Sequence, residues 1–506
     1  MRAPLAALDG ELPRVASLHV SQRTGSRAAG EPSAGVPTHL DVAVSGGGMS
    51  GLVAACAAAQ TGARVALFEK GSRLGGSMRL SNGFLVTFTT ARELHDAVPE
   101  GDAPLQAVVV EGFAGACEWL GQLGVPMVPR RRAVGGRSGY QVDPNEVVAT
   151  LERRLLMHGG SIHLEQALRA WNRDGTGGDA TCVALAHDGS TTTVSTVSLV
   201  LATGGFQGNA ELVARLCRIA TAGAYHRANA WSTGDGLLCA LDAGAAMSRS
   251  VDGFYGHAMA AEPATVNDRT FAALTQYQGN LCVALNADGC RFADESAGLG
   301  EEELNQQLAR QPGQLGWYIG DEEIASFDAP RGSGTTVRVI LERTERLGGI
   351  VHRAPTFREL CEALAATGLH ATAALETLRD FRQAMREGTH PRAVQRSNNR
   401  LRFDRPPYWA VKVRPGITFT TGGIAVDTSM RVIDRVTSSS PLARHVTDPS
   451  DYRPSVLAGL YACGADVGGV SGRSYAGGLA TALVTGRLAG QAAAHGALGP
   501  LGAAVP

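Results

Sequence analysis

Residues 40–70 read LDVAVSGGGMSGLVAACAAAQTGARVALFEK. The apolar run Leu40–Ser45 predicts a β-strand, and the alanine-rich run Gly51–Gln60 predicts a buried helix. A second strand is predicted over Arg64–Phe68. A strand, a helix and a strand within about 30 residues form the βαβ unit of a parallel sheet. The stretch therefore predicts an α/β fold.

The glycines between the first strand and the helix fit the pattern G-x-G-x-x-G of a Rossmann-like nucleotide site. Gly46 permits the tight turn, Gly48 lets the backbone approach a pyrophosphate, and Gly51 lets the helix pack against the strand. The N-terminus of the helix offers free N–H groups to phosphates, and Met49 and Ser50 directly before it are candidate cofactor residues as well. Glu69, at the end of the second strand, can accept a hydrogen bond from a ribose hydroxyl. We therefore expect a bound dinucleotide.

Further glycine-rich segments favour FAD over NAD. A second glycine loop, Lys70–Ser77, can run along a longer cofactor, and Ala202–Gly205 ends another predicted strand. Gly477–Gly478 opens the last predicted helix, Leu479–His495, whose N-terminus would stabilise the anion of a reduced flavin. These segments add candidate cofactor residues, namely Lys70, Gly75, Gly76, Ser77, Ala202, Thr203, Gly204, Gly205, Gly478, Leu479 and Ala480.

The bulk composition excludes several other classes of protein. The chain has 506 residues, enough for about two or three domains. Its 46 Lys and Arg residues balance 47 Asp and Glu residues, which argues against nucleic acid or an anionic membrane as partner. No apolar run of about 18 residues predicts a membrane span. Nine scattered cysteines without metal-site spacing indicate reduced thiols in a cytoplasmic protein, so no metal is expected.

The distribution of predicted strands and helices along the sequence indicates one domain that is interrupted by another. Predicted strands followed by glycine pairs end near His257, and charged helical segments such as Phe357–Arg386 follow. Predicted strands with glycine pairs begin again at Ala410. The N-terminal residues lack an apolar signal-peptide region. The predicted division is a flexible tail at 1–38, a first part of the FAD-binding domain at 39–257, an inserted α+β domain at 258–409, a second part of the FAD-binding domain at 410–497, and a tail at 498–506.

In its motifs the chain resembles the fumarate reductase and succinate dehydrogenase flavoprotein superfamily from about Asp41 to Ala494. The matching segments are Val42–Gly51, Phe68–Lys70, Leu201–Phe206, Thr233–Gly236 and Gly459–Gly469. Within this superfamily, the chain resembles two branches most. Segments Arg396–Asn398, Pro406–Ala410 and Gly416–Gly423 resemble the soluble tricarballylate dehydrogenase-like group. Segment Val470–Gly477 resembles the 3-ketosteroid dehydrogenases.

The resemblance implies that the inserted domain caps the FAD domain, with the active site between them. It also implies non-covalent FAD, because Ser77–Ser81 lacks the histidine that covalently flavinylated members carry. Asp235 and Gly464 join the candidate cofactor site through their motifs. Asp466 joins it as well, since it stands near the position of a displaced family glutamate.

Five residues are candidates for the chemistry. Arg473 matches a substrate-carboxylate arginine of the fumarate reductases, and a guanidinium can hold a carboxylate bidentately. Tyr475 matches a ketosteroid dehydrogenase tyrosine that bonds the substrate ketone. His257 matches an active-site histidine that binds substrate, and Glu295 matches a glutamate of a proton relay. Thr420 is expected near the flavin as a hydrogen-bond donor.

The chain departs from the fumarate reductases at two places. Ala325 stands where those enzymes carry an arginine acid, and Thr418–Thr420 replaces their His-His-Thr motif. Another group must therefore move the proton, and Tyr475, Tyr318 and Tyr255 are the candidates.

These residues predict an FAD-dependent oxidoreductase that dehydrogenates or reduces a C–C bond adjacent to a carbonyl or carboxylate. A small polycarboxylate and a cyclic or steroid-like ketone both remain open as substrates, and the electron carrier is unknown. The alternatives are an oxygen-using oxidase with the architecture of L-aspartate oxidase, a non-catalytic FAD-binding protein, and an NAD-linked enzyme.

Overall fold

The computed structural model describes residues 39–130, 137–173, 181–187, 189–249, 251–263, 266–267, 269–298, 300–329, 335–392, 394–397, 401–435 and 455–499. The predicted tail at 1–38 lies outside the described residues, as does the predicted tail at 498–506 except for its first two residues.

The βαβ unit predicted from residues 40–70 is confirmed. Strand His39–Ser45 pairs in parallel with strand Val65–Glu69 on one side and with strand Ser190–Leu201 on the other. Helix Met49–Ala59 connects the first two strands, and every one of its residues is buried. A helix that is apolar all round is typical of a position between packed layers.

This unit belongs to the central sheet. Its main path consists, in spatial order, of Arg431–Ile433, Val456–Ala462, Ser190–Leu201, His39–Ser45, Val65–Glu69 and Ser161–Leu164. All neighbours on this path are parallel except the first pair. Strands Thr181–His187 and Ala167–Arg173 extend it as an antiparallel pair beside Ser190–Leu201. The carboxyl ends of the parallel strands therefore meet at one edge, where α/β sheets bind ligands.

The last helix runs over Gly478–Leu498, somewhat longer at both ends than predicted. It packs closely on helix Met49–Ala59, since a Cβ atom added to Gly490 would lie 2.2 Å from the carbonyl oxygen of Ala54. Both helices begin at the same edge of the central sheet. The remaining helices of the first core are Ala91–Ala97, Ala103–Gln122, Pro144–Met157, Ala210–Leu212 and Asp235–Asp242.

A second hydrophobic core lies between Ala258 and Val413. It surrounds an antiparallel sheet of strands Met259–Ala260, Tyr408–Arg414, Gly316–Gly320, Val283–Asn286 and Val351–Ala354. Its helices are Phe271–Leu274, Glu302–Leu308, Glu322–Ala325, Val337–Arg346, Phe357–Ala365 and Ala371–Glu387. The sequence-based boundary at 409–410 falls inside strand Tyr408–Arg414, whose residues on both sides of it pack in this core.

Small sheets connect the two cores. Strand Phe254–Tyr255 pairs with Phe419–Thr420, and Tyr225–His226 pairs with Gly416–Ile417. A further sheet consists of Phe84–Thr87, Val128–Arg130 and Ser138–Gln141. None of the described helices is both long and apolar enough to cross a membrane.

Candidate active site

A long cavity opens where the parallel strands end. Its wall includes Ser45, Glu69 and Ala202 from three neighbouring strand ends, and Met49 and Gly478 from the starts of the two packed helices. The first N–H groups of a helix have no partner within the helix, so both helix starts present donors to a ligand.

The first glycine loop forms part of the wall of this cavity. Gly46 has a φ angle of +110°, and a Cβ atom added there would lie 2.1 Å from the carbonyl oxygen of Ala202. A Cβ atom on Gly51 would lie 1.8 Å from the carbonyl oxygen of Gly46. At Gly48, by contrast, an added Cβ would meet nothing within 4 Å. Gly46 and Gly51 are thus required by packing, whereas Gly48 borders open space in the cavity.

Glu69 holds the two glycine loops in place. One carboxylate oxygen accepts a hydrogen bond from the Gly47 amide at 2.6 Å, and the other accepts one from the Gly71 amide at 2.7 Å. A carboxylate has about four acceptor positions, so Glu69 can still accept a ligand hydroxyl. It lies on the wall, as predicted for a ribose-binding acid.

Lys70 and Asp235 form an ion pair on the same wall. The Lys70 ammonium lies 2.9 Å from a carboxylate oxygen of Asp235 and 2.6 Å from the hydroxyl of Thr233. The pair joins the second glycine loop to the start of helix Asp235–Asp242. Their opposite charges cancel, so this part of the wall adds no net charge near a ligand.

Asp466 lies behind the wall. It accepts hydrogen bonds from the backbone amides of Thr203 and Gly204, the latter at 3.2 Å, and from the Thr203 hydroxyl at 3.1 Å. Burial raises the pKa of Asp466 to about 7, although the hydrogen bonds from Thr203 lower it. Its contacts fix loop Ala202–Gly205, which itself lines the cavity.

Most of the predicted cofactor residues lie on the wall. They are Gly46, Gly48, Met49, Ser50, Glu69, Lys70, Gly76, Ser77, Ala202, Thr203, Gly204, Gly205, Asp235, Gly464, Gly478 and Leu479. The others, Gly51, Gly75, Asp466 and Ala480, are not among the lining residues and act on the loops from behind. For example, the Gly75 amide donates to the Gly47 carbonyl oxygen at 2.8 Å.

The cavity also contains polar atoms that lack partners. Four buried side-chain oxygens on its wall have no hydrogen-bond partner among the described residues: Gln166 Oε1, Gln207 Oε1, Thr421 Oγ1 and Thr481 Oγ1. Buried polar groups are rarely left unpaired, so these oxygens indicate a polar ligand along the cavity. Two helix starts, the open space at Gly48 and a carboxylate at a ribose position together fit the phosphates, sugar and flavin of FAD.

Comparison with known proteins identifies this ligand. The model of the family described as "FAD binding domain" matches residues 41–480, most of the chain. The chain belongs to this family. The predicted FAD cofactor is thereby confirmed.

The flavoprotein is similar to several reductases over most of its length. It is 27% identical over 497 residues to a probable fumarate reductase of Shewanella frigidimarina, covering 92% of this chain and 76% of that protein. It is 26% identical over 501 residues to a urocanate reductase of Eggerthella lenta, covering 91% of this chain and 75% of that protein. The superfamily recognised from the sequence is thereby confirmed.

A solved structure supports the fold. The 3-ketosteroid delta1-dehydrogenase from Sterolibacterium denitrificans superposes with a TM-score of 0.68 at 18% identity. The match covers 91% of this chain and 100% of that one. The predicted α/β architecture of the FAD-binding fold is therefore confirmed.

Three aromatic side chains form a cluster on the cavity wall. Tyr255, Tyr475 and Phe419 all line it. The Tyr255 ring stacks on Tyr475 with centroids 4.3 Å apart and lies 5.0 Å from Phe419. Thr420 also lines the cavity, where its hydroxyl accepts a hydrogen bond from the Phe206 amide at 3.2 Å.

His257 lies directly behind Tyr255 and is 1% exposed. Its Nε2 atom is 2.8 Å from the Tyr255 hydroxyl, and its Nδ1 atom is 2.7 Å from a carboxylate oxygen of Glu301. The other oxygen of Glu301 accepts a hydrogen bond from the Ala258 amide at 2.5 Å. With a carboxylate at Nδ1, that nitrogen donates and Nε2 is left to accept from the tyrosine. The three side chains form a buried relay that ends at the cavity.

The structure does not bring Arg473 or Tyr318 into the cavity wall. Arg473 is exposed, and its backbone amide donates to a carboxylate oxygen of Glu100 at 2.6 Å. Tyr318 is fully buried in the second core, and burial raises its pKa well above the usual range. Of the three tyrosines proposed for proton transfer, Tyr255 and Tyr475 therefore reach the cavity.

Glu295 also lies away from the cavity, within the second core. One of its oxygens accepts from Arg291 Nε at 2.8 Å, and the other accepts from Arg291 at 2.6 Å and from Arg396 at 3.2 Å. The Ala284 amide donates to it at 3.0 Å. With two guanidinium groups against it, this carboxylate belongs to a buried ion-pair cluster, and we expect its role to be structural.

Replacing Glu295 with alanine should therefore reduce stability and spare catalysis. Loss of one partner of a buried pair costs about 3–5 kcal/mol, because two buried guanidinium groups keep their charge without an acid. Urea unfolding measures this loss. Glu345→Ala, at an exposed ion pair with Arg353, is the control and should cost at most about 1 kcal/mol. If Glu295→Ala had the stability of the wild type but no turnover per bound flavin, the structural role of Glu295 would be contradicted.

Sequence reasoning missed Glu301, which lies behind the wall, and several residues of the wall itself. Glu301 lies 44 positions from His257, so only the tertiary fold brings them together. Arg227 and Arg137 line the cavity, and the Arg137 guanidinium lies 5.2 Å from the Tyr475 ring centroid. No three His, Cys, Asp or Glu side chains of the described residues could together hold a metal ion.

Proposed function

We propose that this flavoprotein reduces or dehydrogenates a C–C bond adjacent to a carbonyl or carboxylate of a small molecule. The observation that carries the proposal is the Tyr255 hydroxyl on the wall of the FAD cavity, backed by His257 and Glu301. The names of the related reductases for fumarate and urocanate support the same class of reaction. Bound FAD supplies the site that accepts or gives up a hydride.

Tyr255 is the group that we assign to the proton. In dehydrogenation, Tyr255 would pass its hydroxyl proton to Nε2 of His257 and, as the phenolate, would take up the proton of the carbon next to the carbonyl. In reduction the steps reverse: the Tyr255 hydroxyl would protonate that carbon, and the phenolate would take back a proton from His257 that is protonated at Nε2. Glu301 holds His257 in the required tautomer and is a positioning residue.

Several further residues have supporting roles in this proposal. Tyr475 and Phe419 pack on Tyr255 and keep water from its ring faces. The second core, with its antiparallel sheet, is the inserted capping domain, and the small sheets connect it to the FAD domain. FAD is held without a covalent bond. Electrons come from, or go to, a carrier that is not yet known.

We also propose a cytoplasmic location. The eight cysteines whose side chains the structure describes are all free, and all but Cys290 among them are buried. Buried thiols that are kept reduced are typical of cytoplasmic proteins.

Replacing Glu301 with glutamine tests the relay. Without the carboxylate, the imidazole loses the charge that stabilises its protonated form, so turnover should fall by about 10²-fold, the lower end for general acid–base catalysis. The profile of kcat/KM against pH should change shape, which a purely structural defect would not cause. Glu303→Gln, two residues along the chain, is the control. An unchanged rate and pH profile in Glu301→Gln would remove Glu301 from the relay.

Spectroscopy of the purified protein tests the function itself. We expect flavin absorption near ~450 nm that acid precipitation releases as free FAD. Anaerobic addition of a panel of saturated acids and ketones should bleach the flavin with at least one compound. Rapid reoxidation in air would favour an oxidase. A flavin whose spectrum responds to no compound would favour a non-catalytic FAD-binding protein and contradict the proposal.

A further inference from the structure

Arg227 is a cationic residue of the cavity wall to which the proposed mechanism gives no role. It directly follows strand Tyr225–His226, and its backbone amide donates to the Ile417 carbonyl oxygen at 2.8 Å. This hydrogen bond fixes the start of its side chain beside segment Thr418–Thr420, which lines the same cavity.

The guanidinium of Arg227 makes only a few hydrogen bonds to other described residues. Its NH1 atom donates to the Thr418 hydroxyl at 3.0 Å, and its NH2 atom lies 3.5 Å from the Tyr277 hydroxyl. Its Nε atom is buried and has no hydrogen-bond partner among the described residues. Several of its five N–H groups are therefore available to a ligand.

No acidic side chain neutralises this arginine. Within the part of the chain that the structure describes, no carboxylate oxygen lies within 4.0 Å of the Arg227 guanidinium. The buried Arg291 and Arg396, by contrast, share Glu295. A half-buried cation without a counter-charge is unfavourable, and an anionic ligand would offset that cost.

Arg227 lies on the same part of the wall as the relay. Tyr277, next to its NH2 atom, packs edge-on against His257 with ring centroids 4.9 Å apart. His257 bonds the Tyr255 hydroxyl. An anionic group held at Arg227 would thus place the neighbouring carbon of a ligand near the hydroxyl that exchanges the proton.

We propose that Arg227, with Thr418 and Tyr277, binds a carboxylate of the substrate, and that this enzyme takes a carboxylic acid and not a neutral ketone. The inference rests on the proposed function. It replaces Arg473 as substrate anchor, because the Arg473 side chain is exposed and outside the wall. A planar guanidinium holds a carboxylate through two parallel hydrogen bonds, which orients as well as binds it.

The test measures ligand binding by the change in the visible flavin spectrum, which does not require turnover. The probes are propionate, succinate, citrate and 3-phenylpropionate as acids, and 2-cyclohexenone as a neutral ketone. Wild-type protein is compared with Arg227→Gln, Arg227→Lys and Arg473→Gln. Arg92→Gln, which removes the same charge from a side chain that is 90% exposed, is the control. The flavin content and thermal midpoint of each variant are measured first.

We expect at least one acid to perturb the wild-type flavin. Arg227→Gln should weaken that acid by roughly 10- to 100-fold, the loss expected for hydrogen bonds to a charged group. Arg227→Lys should retain part of the affinity, and Arg473→Gln and Arg92→Gln should match the wild type. If Arg227→Gln folds poorly, the affinity of Arg227→Lys is compared with that of the wild type instead, since lysine keeps the positive charge but lacks the planar guanidinium group.

Three results would overturn the inference. Affinity for the acid that is equal in Arg227→Gln and wild type removes Arg227 from the site. Loss of affinity in Arg473→Gln alone assigns the anchor to that residue. A wild-type response to 2-cyclohexenone and to none of the acids rejects a carboxylate substrate while the proposed function stands. If no compound of either class perturbs or bleaches the flavin, the proposed function fails as well.

Discussion

Replacing Tyr255 with phenylalanine is expected to slow turnover by about 10²–10⁴-fold, the range that a general acid or base contributes. The substitution removes the hydroxyl that His257 Nε2 contacts at 2.8 Å. It keeps the ring that stacks on Tyr475 at 4.3 Å, so the shape of the cavity should be preserved. FAD content and the dissociation constants of ligands should therefore change little. Stopped-flow measurement of flavin reduction separates the chemical step from binding.

Two comparisons make this result specific. Tyr461→Phe removes the hydroxyl of another buried tyrosine, in the first core and outside the cavity wall, and should leave the rate unchanged. Tyr475→Phe tests the other tyrosine on the wall. If Tyr255→Phe retained wild-type rates while Tyr475→Phe lost them, Tyr475 would be the proton carrier and the relay behind Tyr255 would be structural.

Replacing Gly48 with valine is expected to give a folded protein that has lost most of its FAD. The backbone at Gly48 has φ −75° and ψ −171°, which any residue can adopt, and an added Cβ meets no protein atom within 4 Å. The valine side chain would instead enter the space that the pyrophosphate needs. We expect this overpacking to cost about 1–3 kcal/mol of the free energy of FAD binding, which raises the dissociation constant of FAD by roughly 10- to 100-fold.

The measurement is the ratio of flavin to protein absorbance after equilibration with FAD, together with thermal unfolding of the apo-protein. Gly115→Val, at an exposed position of helix Ala103–Gln122, is the control for the added side chain. A Gly48→Val protein that binds FAD as tightly as the wild type would place the pyrophosphate elsewhere.

The parts of the fold that depend on local sequence could be predicted well. The βαβ unit follows from strand and helix patterns within one short stretch, and its observed helix, Met49–Ala59, lies within two residues of the prediction. The start of helix Pro144–Met157 depends on an equally local contact, since the Asp143 carboxylate accepts from the Asn145 amide at 2.7 Å. Capping and glycine turns act over a few residues, so sequence alone reveals them.

The parts of the site that depend on tertiary contacts could not be predicted. His257 was a candidate from its motif, but its partner Glu301 is distant in sequence and carries no motif. Arg473 was aligned with a substrate arginine, yet contacts of its backbone with Glu100 and Gln306 hold its loop so that the side chain faces solvent. Motif spacing fixes where a loop stands in the chain, whereas the direction of each side chain depends on what packs against it.

Glu295 gives the same lesson for a buried acid. Its motif suggested a proton relay, but Arg291, four residues earlier, already offered an ion-pair partner in the sequence. Arg396, about a hundred residues further along the chain, forms a second ion pair with the same carboxylate. The sequence identifies an acid with a cation nearby, and only the structure shows that the acid is buried between two arginines.

The most direct test of the account is anaerobic reoxidation of the chemically reduced protein by activated alkenes. The reduced flavoprotein is mixed with α,β-unsaturated acids and enones, and the flavin absorbance near ~450 nm is followed while the products are identified. The account predicts that at least one alkene restores the oxidised spectrum and is converted to its saturated product in equal amount. If the bound cofactor is intact FAD and stays reduced with every alkene, the result would contradict the assignment of this protein as an oxidoreductase of C–C bonds.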